Sequence, residues 1–334
     1  MKAAGWVFLF WVLATAQAAS AESCLTLDEA RLLFRSGSED QAIAVVRCRL
    51  GQQGQQGQDS GESQRTLSDF YWWRGESDRG AAAAQAALSS PTDHETRAVL
   101  ERRIARTKLI ASYETVAAEN DRGTESFLEI RHRYKDRNEF ALGFRDAYRN
   151  YREFAALRDQ SFQFGHLASV SRKVTIDTKF SFSSSPVFLP RWSVDILADY
   201  FADHDRTYTL GARTSFYDSA GSSTSASLVQ FGFRMPFWEK FVIRERIFVL
   251  VAPVWLLSAA FTVEYWPTYG WGLSLSGSSG QSFEGPELID RFHLYELSVQ
   301  HRFARPVSLR LYGSRRTGEL RIENRAGLGA EWSF

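Results

Sequence analysis

The 334-residue sequence has no excess of charge of either sign. Its 40 lysine and arginine residues are balanced by 39 aspartate and glutamate residues, which leaves a formal net charge of +1 at pH 7. Nucleic-acid binding depends on concentrated positive charge, so we expect no nucleic-acid partner. The sequence also lacks a glycine-rich phosphate loop and any cysteine and histidine cluster with metal-ligand spacing. We therefore expect no cofactor, no metal site and no catalytic residues.

Long hydrophobic runs are scarce as well. Beyond the N-terminal segment, only residues 247–263 form an uncharged stretch that approaches the length of a transmembrane helix. Pro253 lies in its middle, and β-branched and aromatic residues dominate its first half. A transmembrane helix and two consecutive strands that turn near Pro253 are the two interpretations, and the composition favours the strands.

The N-terminal segment predicts export. Lys2 precedes an apolar run over residues 5–14, and residues 19–21 read Ala-Ser-Ala, which suits signal-peptide cleavage. We interpret residues 1–21 as a secretory signal peptide that is absent from the mature protein, and an uncleaved anchor helix is the alternative. Export places the mature chain in an oxidising compartment.

Cysteine is scarce too, since only Cys24 and Cys48 are present. Apolar residues recur at helical spacing on both sides of Gly37, so residues 25–50 predict two antiparallel helices. This hairpin brings the first cysteine, at the start of one helix, close to the second cysteine, near the end of the other. We predict a disulfide between them, which stabilises the fold by about 3 kcal/mol in the loop-entropy model.

The helical pattern continues, and we predict that residues 22–118 form a periplasmic helical domain. Within it, residues 51–64 are rich in Gln, Gly and Ser and predict a loop. Two degenerate helix hairpins and a further helix over about residues 92–118 resemble tetratricopeptide repeats. Stacked hairpins present a concave face to a partner, whereas a helical spacer does not, and both interpretations stay open. Residues 119–124 predict a linker.

From residue 125 the apolar period changes from 3.6 to 2. About a dozen segments of roughly ten residues alternate apolar and polar side chains, and Gly, Ser, Asp and Pro separate them. Aromatic residues gather near the segment ends, as they do at membrane interfaces. In an exported chain this pattern predicts a barrel, because closure gives every backbone group a partner in lipid. We predict an α+β two-domain chain in which an antiparallel outer-membrane β-barrel of about 12 strands spans residues 125–334.

The chain ends on an aromatic residue within an alternating segment. Over residues 326–334 apolar side chains occupy every second position, and the last of them is Phe334. In an open sheet an end strand is an exposed edge, whereas a barrel pairs it with the first strand. Gly327, Trp332 and Phe334 resemble the C-terminal signal that outer-membrane barrels present to the bacterial insertion machinery. We predict that these residues are an assembly signal, with membrane lipid and that machinery as partners.

Charged residues of both signs lie on the polar face of the predicted strands. They either line an aqueous path for a polar solute or glycan, or pair across the lumen and plug it. The similar numbers of the two signs favour pairing for most of them. The candidate lumen charges are Asp177, Lys179, Asp195, Asp199, Arg213, Arg310, Arg321, Glu323, Arg325 and Glu331.

Three stretches carry a family resemblance: FLEIRHRYKDRNEFALGF at residues 127–144, FLPRWSVDILADYFADHDRTYTLGARTSFY at 188–217, and RFARPVSLRLYGSRRTGELRIENRAGLGAEWSF at 302–334. Together with the export signal and the short tetratricopeptide-like region, they resemble the YaiO-type outer-membrane β-barrel family. The loop at residues 276–290 and the region around Pro253 depart from the family pattern. The resemblance implies an outer-membrane barrel that acts alongside surface polysaccharide assembly or export, and it implies no catalytic residues.

We therefore expect a non-enzymatic outer-membrane protein of a Gram-negative bacterium. Its helical domain would lie in the periplasm and dock a periplasmic partner or a component of polysaccharide synthesis. Two alternatives stay open. A barrel enzyme acting on lipid or glycan would hold a histidine within hydrogen-bond reach of a serine or carboxylate at the membrane rim. A structural anchor would only display the helices.

Overall fold

A computed structural model describes residues 24–334 except 54–57, 120, 152–155, 185, 204–205, 220–221, 239, 253, 269, 286–287 and 304–305. The predicted signal peptide, residues 1–21, and the predicted turn residue Pro253 lie outside the described residues. Within the described part of the chain, no helix combines the length and the apolar character needed to cross a bilayer.

The described chain begins with helices, each of which packs against its neighbour in the sequence. The first begins at a capping box, in which Thr26 accepts a hydrogen bond from the Glu29 amide and the Glu29 carboxylate accepts one from the Thr26 amide. Their tetratricopeptide-like arrangement stays a prediction. The helices are α1 (Leu27–Arg35), α2 (Glu39–Gln53), α3 (Gln58–Trp73), α4 (Ser77–Ala87) and α5 (His94–Ile104).

Apolar side chains from α1 to α4 form the core of this helical domain. The rings of Phe34 and Phe70 stack at its centre, with their centroids 4.1 Å apart. Gly37 turns the chain from α1 to α2 with a φ of 89°, which a residue with a side chain rarely adopts. Cys24 and Cys48 form a disulfide with their Cα atoms 5.8 Å apart, so the chain before α1 is tied to α2.

Fourteen strands of the described residues form a closed antiparallel barrel. Each strand pairs with its neighbour in the sequence, and β1 pairs with β14, so every strand has two partners. The strands are β1 (Thr107–Ala118), β2 (Asp121–Lys135), β3 (Asn138–Tyr151), β4 (Leu157–Ser171), β5 (Val174–Ser183), β6 (Trp192–Phe201), β7 (Thr207–Ser219), β8 (Ser222–Trp238), β9 (Phe241–Ala252), β10 (Leu256–Tyr265), β11 (Trp271–Gly285), β12 (Leu288–Arg302), β13 (Val307–Gly318) and β14 (Ile322–Ser333).

The prediction of about 12 strands was therefore wrong. Residues 107–118 form β1, although they were assigned to the end of a helix, because adjacent apolar residues such as Leu109 and Ile110 obscure the alternation. Residues 276–290, predicted as a loop, belong largely to β11 and β12. Their many Ser and Gly residues have low strand propensity, but pairing on both sides holds them in the sheet.

The border between helices and barrel also differs from the expected one. It lies at residues 105–106, between α5 and β1, whereas residues 119–124 contain the β1–β2 turn and the start of β2. Helix also extends into the stretch 51–64, where a loop was expected, because α2 continues to Gln53 and α3 begins at Gln58. Buried serines on α3 show that tertiary packing outweighs the polar composition there.

The uncharged stretch 247–263 forms two strands, which confirms the favoured interpretation. It covers the end of β9 and most of β10, and Leu250 lies opposite Leu256 across the pair. Adjacent strands give the backbone its hydrogen-bond partners, so the stretch needs no helix to be satisfied inside the membrane.

Large apolar side chains cover the outer wall of the barrel. They alternate with inward polar residues along each strand, and this exposed belt suits lipid rather than water. Aromatic residues gather at the rim nearest the helices, including Tyr134, Phe140, Trp271, Trp332 and Phe334. Between the two rims the exposed side chains include Leu128, Leu142, Phe162, Phe164, Leu210, Phe231, Leu275, Leu297, Leu311 and Leu328.

Gly327 faces inward and lies under the ring of Tyr312. Tyr312, Gly327 and Glu114 lie opposite one another on β13, β14 and β1. The Tyr312 hydroxyl reaches across Gly327 and donates a 2.8 Å hydrogen bond to Glu114. A Cβ atom at Gly327 would overlap the Tyr312 ring, whereas a Cβ at Gly329, the next inward position, would have no neighbour nearer than 3.9 Å.

We predict that Gly327→Ala destabilises the barrel by about 1–3 kcal/mol, because the tyrosine has to leave its site and lose Glu114. Gly329→Ala is the matched control and leaves stability within about 0.5 kcal/mol of the wild type. The temperature at which the folded band disappears in semi-native gel electrophoresis measures both. Equal losses for the two variants would contradict the role of the Tyr312 contact.

Candidate functional site: the barrel lumen

The ten predicted lumen charges lie at inward positions of the barrel. Five strands carry nine of them, and Arg321 lies directly before β14. Outward neighbours such as Phe180, Leu311 and Leu328 are exposed on the opposite face. Alternation along the sequence places these charges together on one face of each strand, because side chains on a strand point to opposite faces in turn.

Most of these charges contact an opposite charge. Lys179 lies 3.3 Å from Asp177 on β5. Arg321 contacts Asp121 at 2.8 Å and Glu323 at 2.6 Å, which joins the start of β2 to the start of β14. In each pair the opposite charge replaces part of the hydration that an ion loses when it leaves water.

Two further arginines extend this pairing. Arg325 contacts Glu323 and lies 2.9 Å from Glu114 on β1, so β14 and β1 are joined by charge as well as by backbone. Arg310 contacts Glu296 on β12 at 2.6 Å. These contacts lie on the lumen wall next to the seam where the barrel closes.

The remaining predicted charges have different surroundings. Asp199 accepts a 2.6 Å hydrogen bond from the Thr209 hydroxyl. Asp195 lies between Lys179 and Arg213 in the strand register. Glu331 lines two of the lumen cavities described below.

Two inward clusters were missed by the sequence analysis. Glu125 accepts hydrogen bonds from Arg145 at 3.1 Å and from Arg149 at 2.5 Å. Asp290, which is fully buried, lies 2.8 Å from Arg316. Alternation along β2 and β3 could have located the first cluster, but Asp290 fell in the stretch predicted as a loop.

The β5–β6 loop folds onto the inner wall of the barrel. The Asp159 carboxylate, fully buried on β4, accepts hydrogen bonds from the amides of Val187, Phe188 and Leu189 at 2.7–3.0 Å. The guanidinium of Arg149 lies 5.6 Å from the Phe188 ring centre. This loop therefore narrows the lumen at the end opposite the helices.

A cavity of about 630 Å³ lies on the other side of the lumen, along β8 to β13. Five arginines and two glutamates line it, so its wall is basic. Trp266 also lines it and carries the Arg302 guanidinium 3.9 Å from its ring centre. The hydroxyl groups on the wall belong to Thr262, Ser274, Ser276, Ser278 and Ser298, and the arginines are Arg234, Arg244, Arg246, Arg302 and Arg310.

Two smaller cavities continue this space towards the helices. The second, of about 480 Å³, shares Glu296, Gln300 and Arg310 with the first. The third, of about 270 Å³, shares Glu331 with the second and reaches Trp72 on α3. The three cavities follow one side of the lumen from its interior to the helical domain.

The four barrel histidines that the structure describes face outward rather than into the lumen. His132 lies 3.0 Å from the Thr107 hydroxyl, and His166 lies 3.1 Å from the Tyr134 hydroxyl, near the aromatic rim. His293 and His301 occupy outward positions of β12. Among the residues that the structure describes, no hydrogen bond joins a histidine to a serine or a carboxylate. These four histidines therefore lack the hydrogen bond to a serine or carboxylate that a barrel enzyme was expected to show.

Comparisons with known proteins place the barrel in a fold class. The CymD monoaromatic hydrocarbon channel is similar with a TM-score of 0.50 and 9% sequence identity, over 72% of this chain and 91% of that chain. A bacterial polysaccharide outer membrane secretin has a TM-score of 0.47 and 11% sequence identity, over 69% of this chain and 99% of that chain. The outer membrane protein Omp33 of Acinetobacter baumannii has a TM-score of 0.44 and 9% sequence identity, over 69% of this chain and 98% of that chain.

The similarity to CymD shows that the chain has the fold of outer-membrane β-barrel proteins. At such low identity it shows the fold alone. No protein-family model matches the chain. No curated protein matches it either. The resemblance to the YaiO-type family therefore stays a prediction.

We predict that Asp159→Asn releases the β5–β6 loop, because a neutral side chain is a weaker acceptor for three amides. Amide hydrogen exchange at residues 187–189 should accelerate about tenfold, the equivalent of about 1.4 kcal/mol. Asp146→Asn is the matched control, since Asp146 pairs with Arg158 and faces outward. Unchanged exchange in Asp159→Asn would show that the loop is held by other contacts.

Proposed function

We propose that the protein is a non-enzymatic outer-membrane β-barrel whose lumen binds and passes polar glycan segments during surface polysaccharide assembly or export. The observation that carries this proposal is the basic, hydroxyl-lined cavity of about 630 Å³ on one side of the lumen. The apolar outer wall supports location in the outer membrane of a Gram-negative bacterium.

The chemistry of the cavity suits sugars. Serine and threonine hydroxyls, Gln300 and the charged side chains can exchange hydrogen bonds with sugar hydroxyl groups, and the Trp266 ring offers a flat apolar surface. The excess of arginine favours glycans that carry negative charge.

The helical domain has a place in the same proposal. Both ends of the barrel chain, Thr107 and Phe334, lie at the rim that carries the helices, and the longest loop, between β5 and β6, lies at the opposite rim. We place the helices in the periplasm, where they dock a partner in polysaccharide synthesis. The resemblance to the YaiO-type family supports this context. The aromatic C-terminal strand would be presented to the barrel insertion machinery.

We predict that the purified protein in planar bilayers conducts anions in preference to cations. Arg246→Glu reverses one charge on the cavity wall and should shift the reversal potential towards cation selectivity. Arg291→Glu makes the same change at an exposed, outward position of β12 and should leave selectivity unchanged. A barrel without conductance, or equal shifts for both variants, would contradict passage through this cavity.

We predict that a strain lacking the gene displays less surface glycan, measured by lectin or antibody binding to intact cells. The full-length gene should restore the signal, whereas the Arg246→Glu variant should restore it only in part. If the helical domain on a lipid tether restores it fully, the barrel is a structural anchor. Unchanged glycan in the deletion strain would overturn the role in polysaccharide assembly.

A further inference from the structure

The third cavity lies where the helical domain meets the barrel rim, and its wall is strongly basic. Five cationic side chains line it against two glutamates, Glu139 and Glu331, and Asp69 and Asp78 beside the cavity pair with Arg103 and Arg106. We propose that this junction is a binding site for an anionic group, a carboxylate or phosphate carried by a sugar. The cationic side chains are Arg102, Arg103, Arg106, Lys108 and Arg133.

Arg133 is the centre of the site. It is only 5% exposed, and its Nε atom has no hydrogen-bond partner among the residues that the structure describes. One Nη atom donates a 2.9 Å hydrogen bond to the carbonyl of Arg103. A buried guanidinium with an unused donor is costly unless it meets an acceptor, so its position favours an anion.

An aromatic ring completes the wall. Trp72, on α3, lies close to two guanidinium groups, with Arg133 at 5.2 Å and Arg103 at 5.9 Å from its ring centre. A sugar ring stacks well on an indole face, and the neighbouring arginines supply donors for its acidic substituent. The volume of about 270 Å³ is near the lower limit of small-molecule sites, which suits one sugar unit.

Several of these cations already hold the helices on the rim. Arg102 donates to the carbonyls of Phe303 and Val307, at 3.4 and 3.2 Å. Arg106 pairs with Asp78 at 3.2 Å. These contacts explain why arginine is abundant at the junction without any ligand.

Lys108 has no such structural task. It lies inward on β1 and lines the cavity, and within the described part of the chain its side chain forms neither a hydrogen bond nor an ion pair. A lysine that serves only to hold two domains together would contact one of them. Its free ammonium, beside the guanidinium of Arg133 on the cavity wall, remains for a ligand.

The site is connected to the lumen cavities. Its cavity shares Glu331 with the second cavity, which joins the large lumen cavity through Glu296 and Arg310. An acidic glycan held at the junction therefore lies at one end of the lumen path. The inference that a sugar carries the anionic group rests on the proposed function, whereas the anion site itself rests on the cavity alone.

The test uses the full-length protein in detergent micelles and isothermal titration calorimetry. Tetragalacturonate is the acidic probe, maltotetraose is the neutral probe of equal length, and inorganic phosphate is the free anion. Lys108→Gln removes a cation from the cavity, and Lys135→Gln removes one from the same rim outside it. Arg133→Lys, which keeps the charge but loses the guanidinium donors, is the second variant.

We expect tetragalacturonate to bind, maltotetraose not to bind, and Lys108→Gln to weaken the acidic probe at least fivefold while Lys135→Gln leaves it unchanged. Arg133→Lys should weaken it as well. Phosphate binding without tetragalacturonate binding would support the anion site and overturn the sugar as carrier. No binding of either anion, or equal losses in the two lysine variants, would overturn the site. The calorimetry does not measure transport. Binding that depends on Lys108 would therefore support this site even if the deletion strain shows no loss of surface glycan.

Discussion

The antiparallel pairing of β1 with β14 is the constraint on which the rest of the structure depends. In lipid an unpaired backbone N–H or C=O group costs several kcal/mol, so a sheet that crosses a membrane has to close. The closure runs to the last residue, where Thr107 and Phe334 exchange backbone hydrogen bonds of 2.9 and 2.8 Å. Because closure fixes the register of every strand, it also decides which side chains face lipid and which face the lumen.

The distribution of charge in the lumen follows from that register. Near the seam, closure brings together residues about 200 positions apart, such as Arg321 with Asp121 and Tyr312 with Glu114. Pairing is favoured there because an isolated charge in a narrow, partly dry interior costs more than a paired one. Along β8 to β13 the arginines outnumber the acids, so positive charge remains available to a solute. The lumen thus has a closely paired side and a basic side.

The alternation of side chains made most of the barrel predictable from the sequence. It placed the candidate charges on one face of their strands and predicted that the last strand closes the barrel, whereas composition favoured the two strands within residues 247–263. It could not identify β1, because Leu109 and Ile110 break the period of two and the preceding helix extends to Ile104. Ion pairs across the seam could not be predicted either, because the pair of Arg325 and Glu114 depends on barrel closure and not on local spacing. Asp159 gave no signal either, since its three amide donors come from a loop with no periodic pattern.

The helical domain cannot be separated from the lumen in this architecture. Only residues 105–106 connect α5 to β1, so the helices lie directly at the rim where the chain enters the barrel. Arg137, in the β2–β3 turn, donates to the carbonyls of Trp72 and Trp73 at 3.2 and 2.8 Å, which completes the end of α3. Burial lowers the pKa of Arg137, but an arginine stays charged at neutral pH and keeps this contact. Since the same helix end carries the ring of Trp72 into the cavity, the contact that docks the helices also positions one wall of the lumen entrance.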